Sequence, residues 1–304
     1  MKLGIIGGAG LLGSTTAFCV GCKNLVEEIK LIDIRDNVVQ SHAMDLTQAF
    51  LPLGGTKVTA ATYEDLGDCG IILSAASMPA GKVKDRNARL AKNIEMIKPI
   101  CEKVKKCCKD DTILITSAAP IDVLIYVFWE TIGWKKNQFI GFSANDTLRL
   151  KWAVELVTGK KFDKIDAMCI GEHGDAQVRL YDQMKYNGEP LKLTEEEYRK
   201  IEDATKNWFA EWQNLEAGRT TGWTSAVMLT EYIEAIVKDS NRILPCSTPL
   251  VDQFGYNHVS MGMPCQLGRS GVKKVIDPLL TDSQKEDLDK AAEKIRGLIT
   301  SVGF

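Results

Sequence analysis

The sequence is poor in histidine, has little net charge and contains no long apolar run, and the last two of these features each exclude a class of protein. Its 304 residues include three histidines, and the formal net charge at pH 7 is -2. Nucleic-acid-binding chains carry a basic surplus, so we expect no nucleic-acid partner. The most apolar stretch, residues 123–134, contains Glu130 and is too short to span a bilayer. We therefore expect a globular protein that is not bound to a membrane.

The cysteines predict reduced thiols rather than a disulfide framework. They number nine, which is odd, and they lie in apolar segments, as is typical of cytoplasmic proteins. Cys19 and Cys22 form a C-x-x-C pair, but no second pair follows at the spacing of a zinc site. We expect no metal, and we expect Cys19 and Cys22 to share one buried face of a helix.

A glycine-rich turn connects the first predicted strand, residues 2–6, to a helix that is predicted from Ser14 onward. Three glycines stand there in the order G-x-G-x-x-G. This spacing allows a tight turn, a close approach of backbone to a pyrophosphate, and close packing of the helix on the strand. The pyrophosphate would lie on the unpaired N–H groups at the start of the helix. The predicted dinucleotide-binding residues of this turn are Gly8, Ala9, Gly10, Leu11, Leu12 and Gly13.

An acidic residue, Asp33, ends the second predicted strand, twenty residues after Gly13. A carboxylate at this place accepts the ribose hydroxyls of NAD and repels the 2′-phosphate of NADP. Arg35 leaves NADP as an alternative, and an aspartate that only closes the strand is the structural alternative. We expect NAD as the cofactor.

Strand and helix patterns alternate through residues 1–142. Strands are predicted at 2–6, 29–34, 57–61, 70–75, 112–117 and 138–142, and helices at 14–22, 38–50, 87–108 and 121–133. This alternation predicts an α/β domain with a Rossmann-type doubly wound parallel sheet, whose ligands gather at the carboxyl ends of the strands. Ala75 and Ser117 lie at two such ends and are predicted to border the nicotinamide.

From Ser143 onward the pattern changes, which predicts a second, α+β domain over residues 143–304. Helices are expected at 146–158, 195–216, 220–238 and 282–302, strands at 162–170, 242–248 and 258–268, and a hairpin-like stretch at 177–193. In the first domain, the loop from Ser77 to Arg86 has the composition of an exposed, mobile lid.

Two of the three histidines have a structural interpretation, because His42 lies on a predicted helix and His258 lies in a predicted strand. His173 lies at the end of a predicted strand between Gly171 and Gly174, where backbone can approach a ligand closely. A histidine there can serve as a general base near neutral pH, and a structural role fits the local sequence equally well.

Five motifs, taken in this order, resemble those of the lactate/malate dehydrogenase family over essentially the full length of the chain. They are the glycine turn with Asp33, Pro120-Ile121-Asp122, Asn145-Asp146-Thr147-Leu148-Arg149, Gly171-Glu172-His173-Gly174-Asp175 and Leu267-Gly268-Arg269-Ser270-Gly271-Val272. The resemblance implies an NAD-dependent L-2-hydroxyacid dehydrogenase with an NAD-binding Rossmann domain, residues 1–142, and a catalytic substrate domain, residues 143–304. It also implies a homodimer or a homotetramer.

The resemblance further implies roles for individual residues. His173 would take the hydroxyl proton of the substrate as hydride leaves for the nicotinamide, and Asp146 would hold the other ring nitrogen. Arg149, three residues after Asp146, would bind the substrate carboxylate through two hydrogen bonds.

On the predicted lid, Arg86 would polarise the carbonyl oxygen of the substrate when the loop closes. Arg89 competes for this role, but Arg86 keeps the family's spacing to Asn93, which would lie near the cofactor.

The chain departs from the family's pattern at positions that bear on the substrate. Ala119 replaces the usual asparagine before proline and so removes a hydrogen-bonding anchor, for which water or Ser117 could substitute. Met78 aligns with the position that selects the substrate, and it favours an adaptable apolar pocket because it cannot pair with a second carboxylate. Thr221, near the start of the helix that borders the pocket, leaves room for a larger substrate side chain. Asn145 stands where the family has an apolar residue, and nothing in the sequence explains it.

We therefore expect a 2-oxo or 2-hydroxy acid substrate with an apolar or aromatic side chain. Lactate or malate dehydrogenase activity is the alternative within the same enzyme class. A non-catalytic NAD-binding homologue is the alternative outside it. Ala119 supports this last alternative, whereas the presence of an intact acid–base pair, Asp146 and His173, argues against it.

Overall fold

The computed structural model describes residues 1–78, 86–218 and 221–304, together with the side chains of all of these except residues 86–89. Most of the predicted lid, residues 79–85, lies outside the described residues. The side chains of Arg86 and Arg89 lie outside them as well.

Residues 1–142 contribute the parallel part of a large sheet. Its strands, in chain order, are β1 (Lys2–Ile6), β2 (Glu28–Ile32), β3 (Lys57–Ala60), β4 (Ile71–Ser74), β5 (Ile113–Thr116) and β6 (Phe139–Phe142). They lie side by side in the order β3-β2-β1-β4-β5-β6, and each neighbouring pair is parallel. Strands covered on both faces form continuous apolar runs, and every residue of β4 and β5 is buried. The predicted doubly wound sheet is confirmed.

The helices that accompany these strands lie close to the predicted positions. They are α1 (Leu11–Cys22), α2 (Asp36–Phe50), α3 (Arg86–Cys107), α4 (Ile121–Ile132) and α5 (Ala144–Thr158). The first of them begins at Leu11 rather than at Ser14, because the extended backbone of Gly10 already provides its N-cap.

The prediction that Cys19 and Cys22 share one buried face of α1 is wrong. Cys19 is half-buried, and Cys22, the last residue of the helix, is exposed. The buried face of α1 instead consists of Gly13, Thr16, Ala17, Val20 and Gly21.

After α5, the described part of the chain consists of short strands, a long hairpin and three more α-helices. These elements are β7 (Ile165–Asp166), β8 (Cys169–Gly171), β9 (Gln177–Arg179), β10 (Lys185–Tyr186), β11 (Glu189–Pro190), α6 (Glu195–Asn214), α7 (Trp223–Val237), β12 (Ile243–Gln253), β13 (Tyr256–Gly268), β14 (Gly271–Val275) and α8 (Asp282–Ser301). The helices α6 and α8 begin at capping boxes formed by Thr194 and Thr281.

The prediction of one continuous strand over residues 162–170 is wrong. The first residues of this stretch form one 3-10 turn, and the rest divide into β7 and β8. The first of these strands pairs with β10 in a small separate sheet, whereas β8 pairs with β9 and β13 in the large one. Ile165 and Ile170 accordingly belong to two different apolar cores, which explains why one apolar run contributes to two sheets.

The large sheet continues past the expected domain boundary. β12 pairs antiparallel with β6, with Ser247 opposite Gly141, so that eleven strands of the described chain belong to one sheet. The hairpin of β12 and β13 is longer than the two predicted strands, and β14 extends it in a position that the sequence did not indicate. This pairing brings the second half of the chain against the carboxyl ends of β5 and β6.

None of the helices in the described part of the chain has the length and apolarity that are needed to cross a membrane.

Candidate active site

The glycine turn lies between β1 and α1, as the sequence predicts. The first hydrogen bond of α1 runs from the amide of Ser14 to the carbonyl of Gly10, over 3.0 Å. The N–H groups of Leu11, Leu12 and Gly13 precede this bond, so they are the helix donors that an anion can reach.

Close packing of backbone on backbone explains two glycines of this turn. A Cβ atom on Gly13 would lie 2.3 Å from the carbonyl oxygen of Gly7, so only glycine lets α1 approach the turn this closely. Gly7, one residue before the G-x-G-x-x-G motif, has a left-handed backbone conformation with a φ of 89°.

The carboxylate of Asp33 faces this turn. Its Oδ2 accepts a hydrogen bond from the amide of Ala9 (3.1 Å), and its Oδ1 accepts one from the amide of Arg35 (3.1 Å). The side chain of Arg35 is 54% exposed and forms an ion pair with the same Oδ1. An acid whose side chain is 9% exposed, beside a glycine turn and the N-terminus of a helix, fits a dinucleotide that has an unphosphorylated ribose.

His42, for which the sequence suggested a packing role, also lies at the turn. Its side chain is half-buried, and its Nδ1 is 3.3 Å from the carbonyl oxygen of Gly8. The helix position of His42 alone could not indicate this contact, which depends on how α2 packs against the turn.

Polar groups collect at the carboxyl ends of β4 and β5. Ser117 follows β5, and its amide donates to the carbonyl of Ser74, over 3.2 Å. The hydroxyls of Ser74 and Ser117 are both buried, and among the described residues neither has a hydrogen-bond partner. Ala75, at the end of β4, is held by a 2.8 Å hydrogen bond from its amide to the carbonyl of Ile6.

Asn93 connects two segments that border the same edge of the sheet. Its Nδ2 donates to the carbonyl of Ala119 (2.7 Å), and its Oδ1 accepts from the amide of Met78 (3.3 Å). Both the oxygen and the nitrogen of the side-chain amide therefore bind main-chain groups, and Asn93 is only 1% exposed. Asn93 thus fixes the first part of the loop after β4, at Met78, relative to the segment before α4.

His173 and Asp146 are in direct contact. Asp146 lies in the first turn of α5, and His173 lies in the loop after β8. The Nδ1 of His173 is 2.6 Å from Oδ2 of Asp146, and Oδ1 of Asp146 accepts a hydrogen bond from Arg149 over 3.3 Å. The helical spacing of three residues does bring Asp146 and Arg149 to one side of α5, as predicted.

The charges of this cluster determine its protonation. Burial by itself would lower the pKa of His173, but the charge and hydrogen bond of Asp146, followed by the charge of Asp122, raise that pKa above its ordinary value. Burial lowers the pKa of Arg149, and Asp146 opposes that effect. An imidazole with a raised pKa beside a carboxylate is suited to exchange a proton near neutral pH.

Arg149 also contacts aromatic side chains of α6. Its guanidinium carbon lies 4.6 Å from the ring centre of Trp208 and 5.8 Å from that of Phe209. Beside it is a cavity of about 230 Å³, lined by Leu148, Arg149, Trp152, Phe162, Trp208, Thr221 and Thr224. The sequence indicated Thr221 but missed Trp208 and Thr224, because their place depends on how α6 and α7 pack on α5.

Asn145, which the sequence left unexplained, connects α5 to α7. Its Nδ2 donates to the hydroxyl of Ser225 over 2.7 Å, and both residues are buried. The Oδ1 of Asn145 has no hydrogen-bond partner in the described part of the chain. An apolar residue at position 145 could not make this hydrogen bond, so the contact with Ser225 explains the asparagine.

Two protein-family models match the chain. The model described as lactate/malate dehydrogenase, NAD binding domain, matches residues 1–141, and the model described as lactate/malate dehydrogenase, alpha/beta C-terminal domain, matches residues 145–302. The chain belongs to the lactate/malate dehydrogenase family. The family resemblance, the fold class and the NAD cofactor that the sequence predicts are thereby confirmed, and lactate/malate dehydrogenases are NAD-dependent oxidoreductases.

Malate dehydrogenases and lactate dehydrogenases both align with nearly the whole chain. A malate dehydrogenase of Pelodictyon phaeoclathratiforme is 31% identical over 312 residues, covering 100% of each chain. An L-lactate dehydrogenase of Clostridium perfringens is 28% identical over 314 residues, covering 99% of this chain and 96% of its own. The solved malate dehydrogenase of Aeropyrum pernix superposes with a TM-score of 0.91 at 27% identity, covering 98% of this chain and 97% of its own.

Proposed function

We propose that this family member is an NAD-dependent L-2-hydroxyacid dehydrogenase whose substrate is a 2-oxo acid with an apolar or aromatic side chain. One observation carries the proposal: Asp146 contacts both His173 and Arg149, and Arg149 lines a cavity whose walls include Trp152 and Trp208. An acid–base pair, a cation for a carboxylate and an apolar cavity are the three elements that such a substrate requires.

In the proposed mechanism, His173 exchanges the proton of the substrate hydroxyl. Because Asp146 holds Nδ1, the other ring nitrogen, Nε2, is left to take the proton on oxidation and to return it on reduction. Asp146 also stabilises the imidazolium that forms. When bound, NAD accepts or supplies the hydride.

Arg149 is proposed to bind the substrate carboxylate. Its guanidinium has one long contact to Asp146, and stacking on Trp208 fixes its plane, so two donors remain for a bidentate pair. Arg86, whose side chain lies outside the described residues, is proposed to polarise the carbonyl oxygen of the substrate. Its backbone begins α3.

The proposed cofactor contacts are at the glycine turn and at the strand ends. Backbone groups of Gly8–Gly13 would hold the pyrophosphate, Asp33 would accept the ribose hydroxyls, and Ala75 and Ser117 would border the nicotinamide. The unpartnered hydroxyl of Ser117 supports its proposed use in place of the amide that Ala119 lacks. Asn93 would act indirectly, by fixing the backbone of Met78 and Ala119.

The preference for an apolar or aromatic side chain rests on the aligned position of Met78 and on the residues that line the cavity. Met78 offers no cation for a second carboxylate, and Thr221 is small. The cavity beside Arg149 contains three aromatic rings, those of Trp152, Phe162 and Trp208. A phenyl or branched aliphatic side chain would bury apolar surface there, whereas a carboxymethyl group would lose its hydration.

The boundary between an NAD-binding domain and a catalytic domain is proposed between residues 142 and 143, where β6 ends. We also propose a cytoplasmic homodimer or homotetramer. Exposed apolar side chains on two helices that pack together, Phe18 of α1 and Val227 of α7, support an interface between subunits.

The experiment is a comparison of NADH oxidation rates with pyruvate, oxaloacetate, 2-oxoisocaproate and phenylpyruvate. We expect the highest kcat/KM with phenylpyruvate or 2-oxoisocaproate. A preference for oxaloacetate or pyruvate would instead indicate the malate or lactate activity for which the relatives are named. Tight NADH binding without turnover of any of the four acids would favour a non-catalytic homologue.

A further inference from the structure

The Pro120-Ile121-Asp122 segment has no role in the proposed mechanism, although Asp122 is the most deeply buried acid near His173. Asp122 lies in the first turn of α4 and is 2% exposed. A buried carboxylate is costly unless its oxygens are hydrogen-bonded, so its contacts indicate what it is used for.

Three hydrogen bonds connect Asp122 to other elements of the site. Its Oδ2 accepts the main-chain amide of His173 over 2.8 Å, and its Oδ1 accepts the hydroxyl of Ser247 in β12 over 2.6 Å. Its own carbonyl oxygen accepts the hydroxyl of Ser260 in β13. Asp122 therefore ties the loop that carries His173 to the hairpin and to the start of α4.

We propose that Asp122 is a positioning residue, which holds the backbone of His173 while Asp146 holds its ring. The proposal rests on the proposed function of His173 as the acid–base group. The loop needs such an anchor because Gly171, two residues before His173, has a φ of 84°, and Gly174 follows immediately. Fixing the ring through Asp146 alone would leave the main chain of His173 free to move between these glycines.

The charge of Asp122 adds an effect that a purely mechanical anchor would lack. Burial lowers the pKa of His173, whereas Asp146 and then the charge of Asp122 raise it, and the charge of Arg149 lowers it. Burial raises the pKa of Asp122 itself to about 6, although the hydrogen bonds from Ser247 and His173 lower it. Glu172 also faces Asp122, and its carboxylate forms a 2.7 Å ion pair with Lys294 of α8.

The test is the variant Asp122→Asn in the full-length protein, with two measurements. We expect kcat for the preferred 2-oxo acid to fall about tenfold to a hundredfold with NADH affinity unchanged, because misplaced acid–base groups cost that much. We also expect NMR titration to give a lower pKa for His173, which is easily assigned because the chain has three histidines. Wild-type kcat together with an unchanged His173 pKa would overturn the proposal.

Two further variants separate positioning from loss of stability. Asp289→Asn makes the same chemical change at an acid of α8 that pairs with Lys285, and it should leave both kcat and the His173 pKa unchanged. Ser247→Ala keeps the Asp122 carboxylate but removes one of its hydrogen bonds. It should lower kcat about threefold to tenfold, with a smaller fall in the His173 pKa than Asp122→Asn causes, because the carboxylate remains. If Asp122→Asn does not fold, a wild-type kcat in Ser247→Ala overturns the proposal.

The NMR titration also separates this proposal from the proposed function. If wild-type protein turns over no 2-oxo acid, the dehydrogenase proposal fails, yet the His173 pKa in Asp122→Asn still decides whether Asp122 acts on the imidazole. If the wild type is active and the variant matches it in both measurements, only the inference about Asp122 fails.

Discussion

The Nδ1 atom of His173 lies 2.6 Å from the Oδ2 atom of Asp146, although 27 residues separate them in the chain. The contact joins a loop of the large sheet to the first turn of α5. It fixes which ring nitrogen remains for a ligand, so the chemistry of the site depends on it.

Replacing His173 tests its role as the acid–base group. His173→Ala should reduce kcat by about 10²- to 10⁴-fold, because proton transfer then has no positioned partner. NADH binding, measured by calorimetry, should stay unchanged, since the glycine turn and Asp33 are intact. His258→Ala, at an exposed position of β13, is the matched control and should remain active. Retained turnover in His173→Ala would exclude this histidine as the base.

Replacing Asp146 should shift the pH profile. Reduction of a 2-oxo acid needs protonated His173, so the rate is full below the pKa of His173 and falls as the pH rises through it. Asp146 raises that pKa, by its charge and its hydrogen bond, so Asp146→Asn should move the fall to lower pH. The measurement is the reductive kcat against pH for both proteins. A fall at the same pH in both would contradict the assigned pairing.

Replacing Arg149 by lysine should weaken substrate binding. Lysine keeps the charge but loses the planar fork, so we expect KM to rise about tenfold to a hundredfold while NADH affinity stays unchanged. Initial rates over a range of substrate concentrations measure the effect. An unchanged KM would mean that another cation, such as the one at position 86, binds the carboxylate.

Trp208 should influence both Arg149 and the choice of substrate. Trp208→Ala removes the stacking partner at 4.6 Å and one aromatic wall of the cavity. A stacked cation of this kind contributes about 0.5–2 kcal/mol, so kcat/KM for phenylpyruvate should fall about twofold to thirtyfold. Phe209→Ala is the control, because that ring is more distant, at 5.8 Å, and is 45% exposed. Equal losses in the two variants would argue against a specific role of Trp208.

Gly13 should be required for packing of the turn. A methyl group there would meet the carbonyl of Gly7 at 2.3 Å, so Gly13→Ala should lower the free energy of unfolding by about 1–3 kcal/mol and weaken NADH binding. Gly297→Ala is the matched control, because Gly297 is helical and has open space around its Cβ position. It should raise the free energy of unfolding by about 0.5–1 kcal/mol. Thermal unfolding of both variants, with and without NADH, measures these effects.

The parallel part of the fold was predictable because most of its strands are short apolar runs that an α-helix follows. The run in β4, for example, needs no distant partner to be identified. The pairing of β6 with β12 was not predictable, because nothing local in either strand specifies an antiparallel neighbour about a hundred residues away. The division of residues 162–170 was missed for the same reason, since its two halves pack in different cores.

In the candidate site, too, features set by local sequence could be predicted and features set by long-range packing could not. Asp146 and Arg149 could be placed together because a spacing of three residues in a helix decides it, and the glycine turn follows from a local motif. The stacking of Trp208 on Arg149 could not be predicted, because it depends on the packing of α6 against α5. The hydrogen bond from His173 to Asp122 depends likewise on the packing of two distant segments.

The proposed reaction of this site is reduction of a 2-oxo acid with an apolar or aromatic side chain. The most direct test is the ratio of kcat/KM for phenylpyruvate to that for oxaloacetate, measured with NADH on the wild-type protein. We expect a ratio well above one. A ratio below one would contradict it, because a second carboxylate would then be preferred at a site whose cavity is lined by aromatic rings.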